Sequence, residues 1–315
     1  MIENHAQALL IAIGLDLILG DPETWPHPVR WMGFGYTWGQ HFLKNASRFQ
    51  GGLLVCLISM TFVLPLWILL SWIHHYSAIA FLGIESILFY FCLSFKSLIQ
   101  LGTSIHDDLK RHHLAHARQT LSHLVGRETD HLSSTEITRA TLESLSESFI
   151  DGFLSPIFWG LLGGVPLAFL FKVISTGDSM IGHPDPPYQR LGWAVAKLDD
   201  LFNFFPARLS ILFIAPATLW GPFSFRDCLR VFFSDRRCHP SPNAAHAESA
   251  FAGALQVRLG GINVYEGQKY VLPFLNASAS RPKSSDLLRG LRLLKISLGG
   301  CLGMLFFLIF LKNIF

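Results

Sequence analysis

Charge is scarce in this sequence: Asp, Glu, Lys and Arg together make up 15% of 315 residues, while half of the chain is apolar. So low a charged fraction excludes an ordinary soluble domain and points to an integral membrane protein. The five cysteines, Cys56, Cys92, Cys228, Cys238 and Cys301, form no C-x-x-C pair, so neither a disulfide framework nor a zinc site is expected. The N-terminus has no basic patch of the kind that opens a secretory leader, and it carries Asp16 where such a leader is apolar. The first segment is therefore expected to be retained. No internal repeat, Gly/Ser linker, Walker loop or dinucleotide fingerprint occurs, and the glycines of LGG at 259–261 match neither nucleotide motif. Any nucleotide site must be built without a standard motif, and no nucleic-acid partner is expected.

Long apolar runs take up the space that charge leaves. Residues 53–73 are uncharged for 21 positions, enough to cross roughly 30 Å of hydrocarbon as a helix. Residues 78–95 carry only Glu85; 152–171, 209–225 and 296–311 are uncharged; 4–19 is shorter and interrupted by Asp16. The expected fold is all-α: a polytopic integral membrane protein with five or six membrane segments, some broken or re-entrant, and helical cytoplasmic loops. A single membrane domain is expected over 1–315, with larger insertions at about 102–151 and 226–292. The turn at 74–77 has no Lys or Arg and should face outward, whereas 226–292 holds ten Lys or Arg against five acids and should be cytoplasmic. Two runs are interrupted at their centres, one by Gly163, Gly164 and Pro166, the other by Pro216, Gly221 and Pro222. Such breaks at membrane depth need protein or a water-filled cavity to satisfy the freed backbone, so both segments are expected to fold around a polar pocket.

Acids collect beside one of these runs. TLESLSESFIDG, 141–152, sets Glu143, Glu147 and Asp151 four residues apart, and SSTE at 133–136 has the form of a capping box that starts a helix near Ser134. On that helix Glu136, Glu143 and Glu147 fall within about 40° of one another, with Asp151 slightly further round. A carboxylate face either meets water or is offset by cations, and Mg²⁺ suits a few such oxygens completed by water and phosphate. Other polar groups lie at comparable boundaries. GDPETWPHPVRWMG holds Asp21 and, between two prolines, His27; STGDSMIG holds Asp178; KLDDLFNFFPAR holds Lys197, Asp199, Asp200, Asn203 and Arg208. HPSPNAAHAESAFAGALQVRLGG predicts a helix with Asn243 near its start and Glu248 one turn further in. His112 and His116 have metal-ligand spacing, on a stretch whose Lys110, Arg111 and Arg118 read as a solvated face.

GDPETWPHPVRWMG, the long run from GRETDHLSSTEITRATLESLSESFIDG to STGDSMIG, LGWAVAKLDDLFNFFPARLS and HPSPNAAHAESAFAGALQVRLGG resemble, in order and spacing, the adenosylcobinamide-phosphate synthase (CbiB/CobD) family of cobalamin biosynthesis. The resemblance covers most of residues 14–265. HPDPPYQRLG at 183–192 and GGINVYEGQKYVLP depart from the family pattern. The resemblance implies a multi-pass enzyme of the cell's inner membrane with its active site facing the cytoplasm. It would join the carboxylate of adenosylcobyric acid to the amine of an aminopropanol phosphate at the expense of ATP, with Mg²⁺. Glu143, Glu147 and Asp151, with Asp178 or Asp200, are expected at the metal and nucleotide end. Arg127, Lys197 and Arg208 are expected on phosphates, Asn243 and Glu248 on the same ligands, and either Asp21 or His27 would deprotonate the incoming ammonium. The implied partners are the corrinoid, the amino-alcohol phosphate, the lipid bilayer and other late cobalamin-pathway membrane enzymes. The alternative is a non-catalytic corrinoid-binding or transport protein using Asp16 and Glu85.

Overall fold

The computed structural model describes residues 2–21, 24–43, 46–182, 188–265 and 267–312. The proline-rich departure at 183–187 lies outside the described residues. In chain order the helices are α1 (Ile2–Leu19), α2 (Pro28–Phe42), α3 (Arg48–Tyr76), α4 (Ala78–Tyr90), α5 (Phe95–Lys110), α6 (Leu114–Ser122), α7 (Ser134–Phe149) and α8 (Ser155–Ile181). They continue as α9 (Tyr188–Leu191), α10 (Trp193–Phe202), α11 (Phe204–Leu209), α12 (Ile211–Ala217), α13 (Phe225–Asp235), α14 (Ala244–Leu255) and α15 (Ser284–Lys312). The helical membrane architecture is as the apolar runs predict. One addition is an antiparallel hairpin of β1 (Leu259–Tyr265) and β2 (Gln268–Leu275), with a register shift between Leu259 and Gly261.

Six helical stretches are long and apolar enough to cross a membrane: Ile2–Leu19, Arg48–Tyr76, Ala78–Lys110, Ser134–Ile181, Trp193–Trp220 and Ser284–Leu311. The 29 residues of α3 span about 44 Å at 1.5 Å per residue, and Leu57, Met60, Leu64, Trp67, Ile68 and Trp72 stand exposed along it. An apolar surface of that extent on a monomer is made for lipid.

Both interrupted runs break where the sequence predicts. Within α8, Gly163 (φ −144°, ψ 22°) and Gly164 (φ 66°, ψ −163°) leave the helical region, and the second conformation is essentially open to glycine alone. A Cβ on Gly164 would lie 2.8 Å from His5 Cε1 and 2.9 Å from Glu85 Oε1. The break thus accommodates a buried pair, His5 Nδ1 to Glu85 Oε1 at 2.7 Å. The Trp193–Trp220 stretch is built from α10, α11, α12 and a 3₁₀ turn at Thr218–Trp220, after which Gly221 is extended.

Contacts divide the chain into two compact units, each assembled from separate segments. The first comprises Met1–Phe95, Asp151–Asn203 and Met304–Phe315; the second comprises Lys96–Ile150 and Phe204–Gly303. In the first, α8 packs against α1, α2, α3 and α10, and α1 against α4. In the second, α14 is buried along its whole length between α13 and α7, and β1 lies on α7. The His112 and His116 pairing is not on one helix: α5 ends at Lys110, His112 turns the chain at φ 61°, and His116 on α6 bonds Asp108 at 2.6 Å. Helical i, i+4 geometry is lost at that turn, so the two imidazoles do not share a helix face.

Candidate functional site

The capping box forms as its sequence predicts. Ser133 Oγ accepts the Glu136 amide, and the Glu136 carboxylate accepts the Ser133 amide at 2.8 Å. From that start the helical period carries Glu143 inward, 4% exposed, and leaves Glu136 and Glu147 at the surface. A carboxylate this buried requires partners. Arg127 Nη1 lies 2.8 Å from Glu143 Oε2, Arg139 Nη1 lies 3.1 Å from Oε1, and the Gly260 amide donates to Oε1 at 2.8 Å. Asn263 Oδ1 accepts from Arg127 at 2.7 Å and from Arg139 at 3.0 Å, and Arg139 also donates to the carbonyls of Gly260 and Ile262. These bonds fasten β1 to α7.

Burial by itself pulls the Arg127 guanidinium down, but Glu143, Tyr265 and Glu248 together outweigh it and hold the group above its ordinary value. Glu248 on α14 completes the cluster. Burial first, then Glu143 and Glu147, push its carboxyl well above the usual range, against the pull of Arg127 and Arg139. Three carboxyls and two guanidinium groups share this cluster.

The start of α14 carries a second group. Asn243 is its N-cap residue and accepts from Arg208 Nη1 at 3.3 Å, while Arg208 also donates to the Phe204 carbonyl and rests over the Phe204 ring. Arg236 lies over Phe232 and Phe233, and Phe232 meets the His246 ring edge-on at 5.8 Å. Burial, then Arg208, push the His246 imidazole down to about 4, so it is neutral at pH 7. A helix N-terminus beside arginines favours an anion.

The first unit holds a third group around Lys172, the one cation between residues 152 and 181. Lys172 is in electrostatic reach of Asp151, Asp199 and Asp21. Asp151 rises from a π-helical turn, Ile150–Leu154, which moves it off the α-helical phase of Glu143 and Glu147. Asp199 accepts from Asn203 at 3.0 Å, and Asn203 accepts from Ser155 at 2.6 Å. Asp21 Oδ1 is 3.6 Å from His27 Nε2 and 3.9 Å from Arg30 Nη2. His27 caps α2, its Nδ1 accepting the Val29 amide at 3.3 Å, so Nε2 carries the proton of the neutral ring. Burial pulls His27 below its ordinary value; Asp21 opposes this, and Arg30 and Lys172 add to it.

The predicted residues therefore sort into groups. Arg127, Glu143, Glu147 and Glu248 stand together in the second unit, where Arg208 and Asn243 form another pair; Asp21, His27 and Asp151 gather in the first. Asp178, in the last turn of α8, and Lys197, bonded to Asp200 at 3.2 Å on an exposed face, belong to the first unit as well. Between the neighbouring aspartates, Asp199 rather than Asp200 joins the Lys172 group. Sequence reasoning did not single out Lys172, Arg139, His246 or Asn263. A lone lysine in an apolar run was the available sign for the first, and Arg139 stands one turn before Glu143; Asn263 gave none.

Among the described residues no group of three or more His, Cys, Asp or Glu converges as a metal site. Glu143 is engaged by two arginines, and Glu147 and Glu248 are the further carboxyl groups of the cluster. One or two carboxylates, completed by phosphate and water, are what Mg²⁺ commonly takes, so the donor chemistry fits.

No solved structure matches the chain. A cobalamin biosynthesis protein CobD of Pelobacter propionicus is 39% identical over 279 residues, covering 87% of this chain and 86% of that one. A CobD protein of Clostridium perfringens is 36% identical over 287 residues, covering 89% and 90%, and a cobalamin biosynthesis protein CbiB of Salmonella arizonae is 35% identical over 294, covering 91% and 92%. The family model described as CobD/Cbib protein matches residues 9–294, which take in all three groups of polar residues, and the chain belongs to that family.

Proposed function

We propose that this chain acts in cobalamin biosynthesis as a membrane-bound ligase. It forms an amide between the carboxylate of adenosylcobyric acid and the amine of aminopropanol phosphate, giving adenosylcobinamide phosphate, ADP and inorganic phosphate. A carboxylate is a poor electrophile, so ATP converts it to an acyl phosphate with release of ADP; the amine then attacks the carbonyl and phosphate leaves. The observation that carries this reading is the cluster around buried Glu143 in a member of the CobD/Cbib family.

The residues divide the work by their chemistry. Arg127 and Arg139, held in place by Glu143 and Asn263, supply fixed positive charge, and Arg208 at the start of α14 supplies more. Glu147 and Glu248 would hold Mg²⁺, which when bound neutralises phosphate charge. In the first unit, Asp21, with the neutral His27, is suited to accept the ammonium proton, and Lys172 lies in electrostatic reach of Asp151 and Asp199. Asp178, Lys197 and Asp200 keep the phosphate and metal roles that the family resemblance gives them. The active site is assigned to the cytoplasmic face of the inner membrane, where ATP is available.

Purified protein in detergent, given adenosylcobyric acid, aminopropanol phosphate and Mg-ATP, is expected to release ADP only when both co-substrates are present. Release that ignores the amine, or none at all, overturns the ligase. A transport reading has one observation in its favour, the buried His5–Glu85 pair beside the break at Gly164. Corrinoid uptake into vesicles without ATP turnover is the outcome that selects it.

A further inference from the structure

Where the hairpin meets the start of α7 the second unit contains a cavity of about 170 Å³, and Arg139 is the one lining residue that a role above already uses. Arg139, Arg258 and Arg281 line it, with Glu136, Gly261 and Phe274. The fold brings the two further arginines together: Val257 bridges Ser280, and the Arg258 amide donates to the Ser280 carbonyl at 2.9 Å, so residues 258 and 281 leave the same junction. Arg258 lies with its guanidinium 4.6 Å from the Phe274 ring centroid, a contact that fixes its plane through the face and leaves its edge donors for another acceptor. Gly261, at φ 107°, has no Cβ; one placed there would lie 2.9 Å from the Phe274 ring, in the cavity wall. Glu136 is the one acid on the wall; its carboxylate accepts from the Ser133 amide and hydroxyl and is in electrostatic reach of Arg139 and Arg281. Among the described residues, neither Arg258 nor Arg281 forms an ion pair.

We infer that this cavity binds a phosphate group. With Arg139 already paired to Glu143, Arg258 and Arg281 against Glu136 leave a surplus of one positive charge, which favours an anionic phosphate. Planar forks are the geometry that phosphate oxygens accept bidentately. Size sets the limit on what the phosphate is attached to: small-molecule pockets run from about 300 Å³ upward, so this one admits a phosphate on a short chain and excludes a nucleotide. The inference does not depend on the ligase reading, since it asks only for a bound phosphate. In a membrane protein that group comes either from a soluble phosphomonoester or from an anionic lipid headgroup.

Binding of inorganic phosphate and of glycerol 3-phosphate to the full chain in detergent, measured by calorimetry, tests it. Saturable binding is expected, weakened about tenfold or more by Arg258→Gln and by Arg281→Gln. Lys269→Gln removes the same charge from an exposed position of β2 and should leave the affinity unchanged. Where Arg258→Gln fails to fold, Arg258→Lys keeps the charge, loses the fork and should still weaken binding. Nanodiscs separate the two sources. Phosphatidylglycerol that abolishes glycerol 3-phosphate binding, where phosphatidylcholine does not, assigns the site to a lipid headgroup; equal binding in both assigns it to a soluble phosphomonoester. No saturable binding in detergent or in either nanodisc, or equal weakening by all three charge-removing substitutions, overturns the inference.

Discussion

Glu143 does the most in the second unit. It is buried, and two arginines and a backbone amide converge on it, so removing it strands Arg127 and Arg139 without their counter-charge. Breaking a buried pair from one side commonly costs about 3–5 kcal/mol, while replacing all partners by apolar groups costs far less. Glu143→Ala is therefore expected to lower the thermal midpoint in detergent sharply, and Arg127→Met combined with Glu143→Leu to recover part of the loss. Additive losses would show that the groups are not coupled. Glu248 gives a different signature, because its native value lies above the 4.5 of an ordinary glutamate. The native state holds that proton more tightly than the unfolded chain, so the group's stability contribution is complete below about pH 4.5 and is lost as pH rises toward the native value. Midpoint against pH should be flatter for Glu248→Gln than for the natural chain, with the two curves meeting near pH 4 and the variant ahead at pH 8. Parallel curves would remove Glu248 from the cluster. Glu143 was visible in the sequence as an acid leading into an apolar run, and Glu248 as an acid one turn into a predicted helix. Lys172 showed only as a lone lysine at the end of an apolar run, and Asn263 not at all, since what marks it is the company it keeps in the folded chain.

Elements with local causes were the legible ones. The start of α7 follows from SSTE alone, and Ser133→Ala should cost about 1 kcal/mol by removing the acceptor for the Glu136 amide. The break in α8 follows from two adjacent glycines, one at a backbone conformation that a side chain resists. Gly164→Ala should destabilise the protein, both through φ and through the closeness of its Cβ to His5 and Glu85. Gly83→Ala in α4, where an added Cβ meets nothing within 4 Å, should be neutral or stabilising by up to about 1 kcal/mol. Similar loss at both positions would mean that the break is not specified by Gly164. Two elements escaped the reading for physical reasons. Projecting Asp151 onto the face of Glu143 assumes 100° per residue throughout, and the π-helical turn at Ile150–Leu154 breaks that assumption with no mark in the sequence. The hairpin contains Gly260, Gly261 and Pro273, residues that weaken a strand signal, and its edge is fastened by Arg139 from outside the segment.

For the molecule as a whole, the functional reading depends on which way the polar segments face, because ATP chemistry needs the cytoplasm. By the excess of Lys and Arg, 226–292 is expected inside and the turn at 74–77 outside. That turn joins α3 to α4, two of the apolar stretches, and residues 75–79 are exposed at their junction. The chain carries its own reporter in that basic segment: Cys238 is exposed beyond α13, while Cys92, Cys228 and Cys301 are buried. In a Cys56→Ser background, which removes the other exposed thiol, a membrane-impermeant maleimide should fail to label Cys238 in intact cells with a permeable outer layer and should label it in inverted inner-membrane vesicles. Ser77→Cys, with Cys238→Ser added, should give the opposite pattern. Labelling of Cys238 from outside would put Arg208, Glu248 and the basic segment around them away from ATP. The ligase assignment would then fail even if every distance within each cluster were correct.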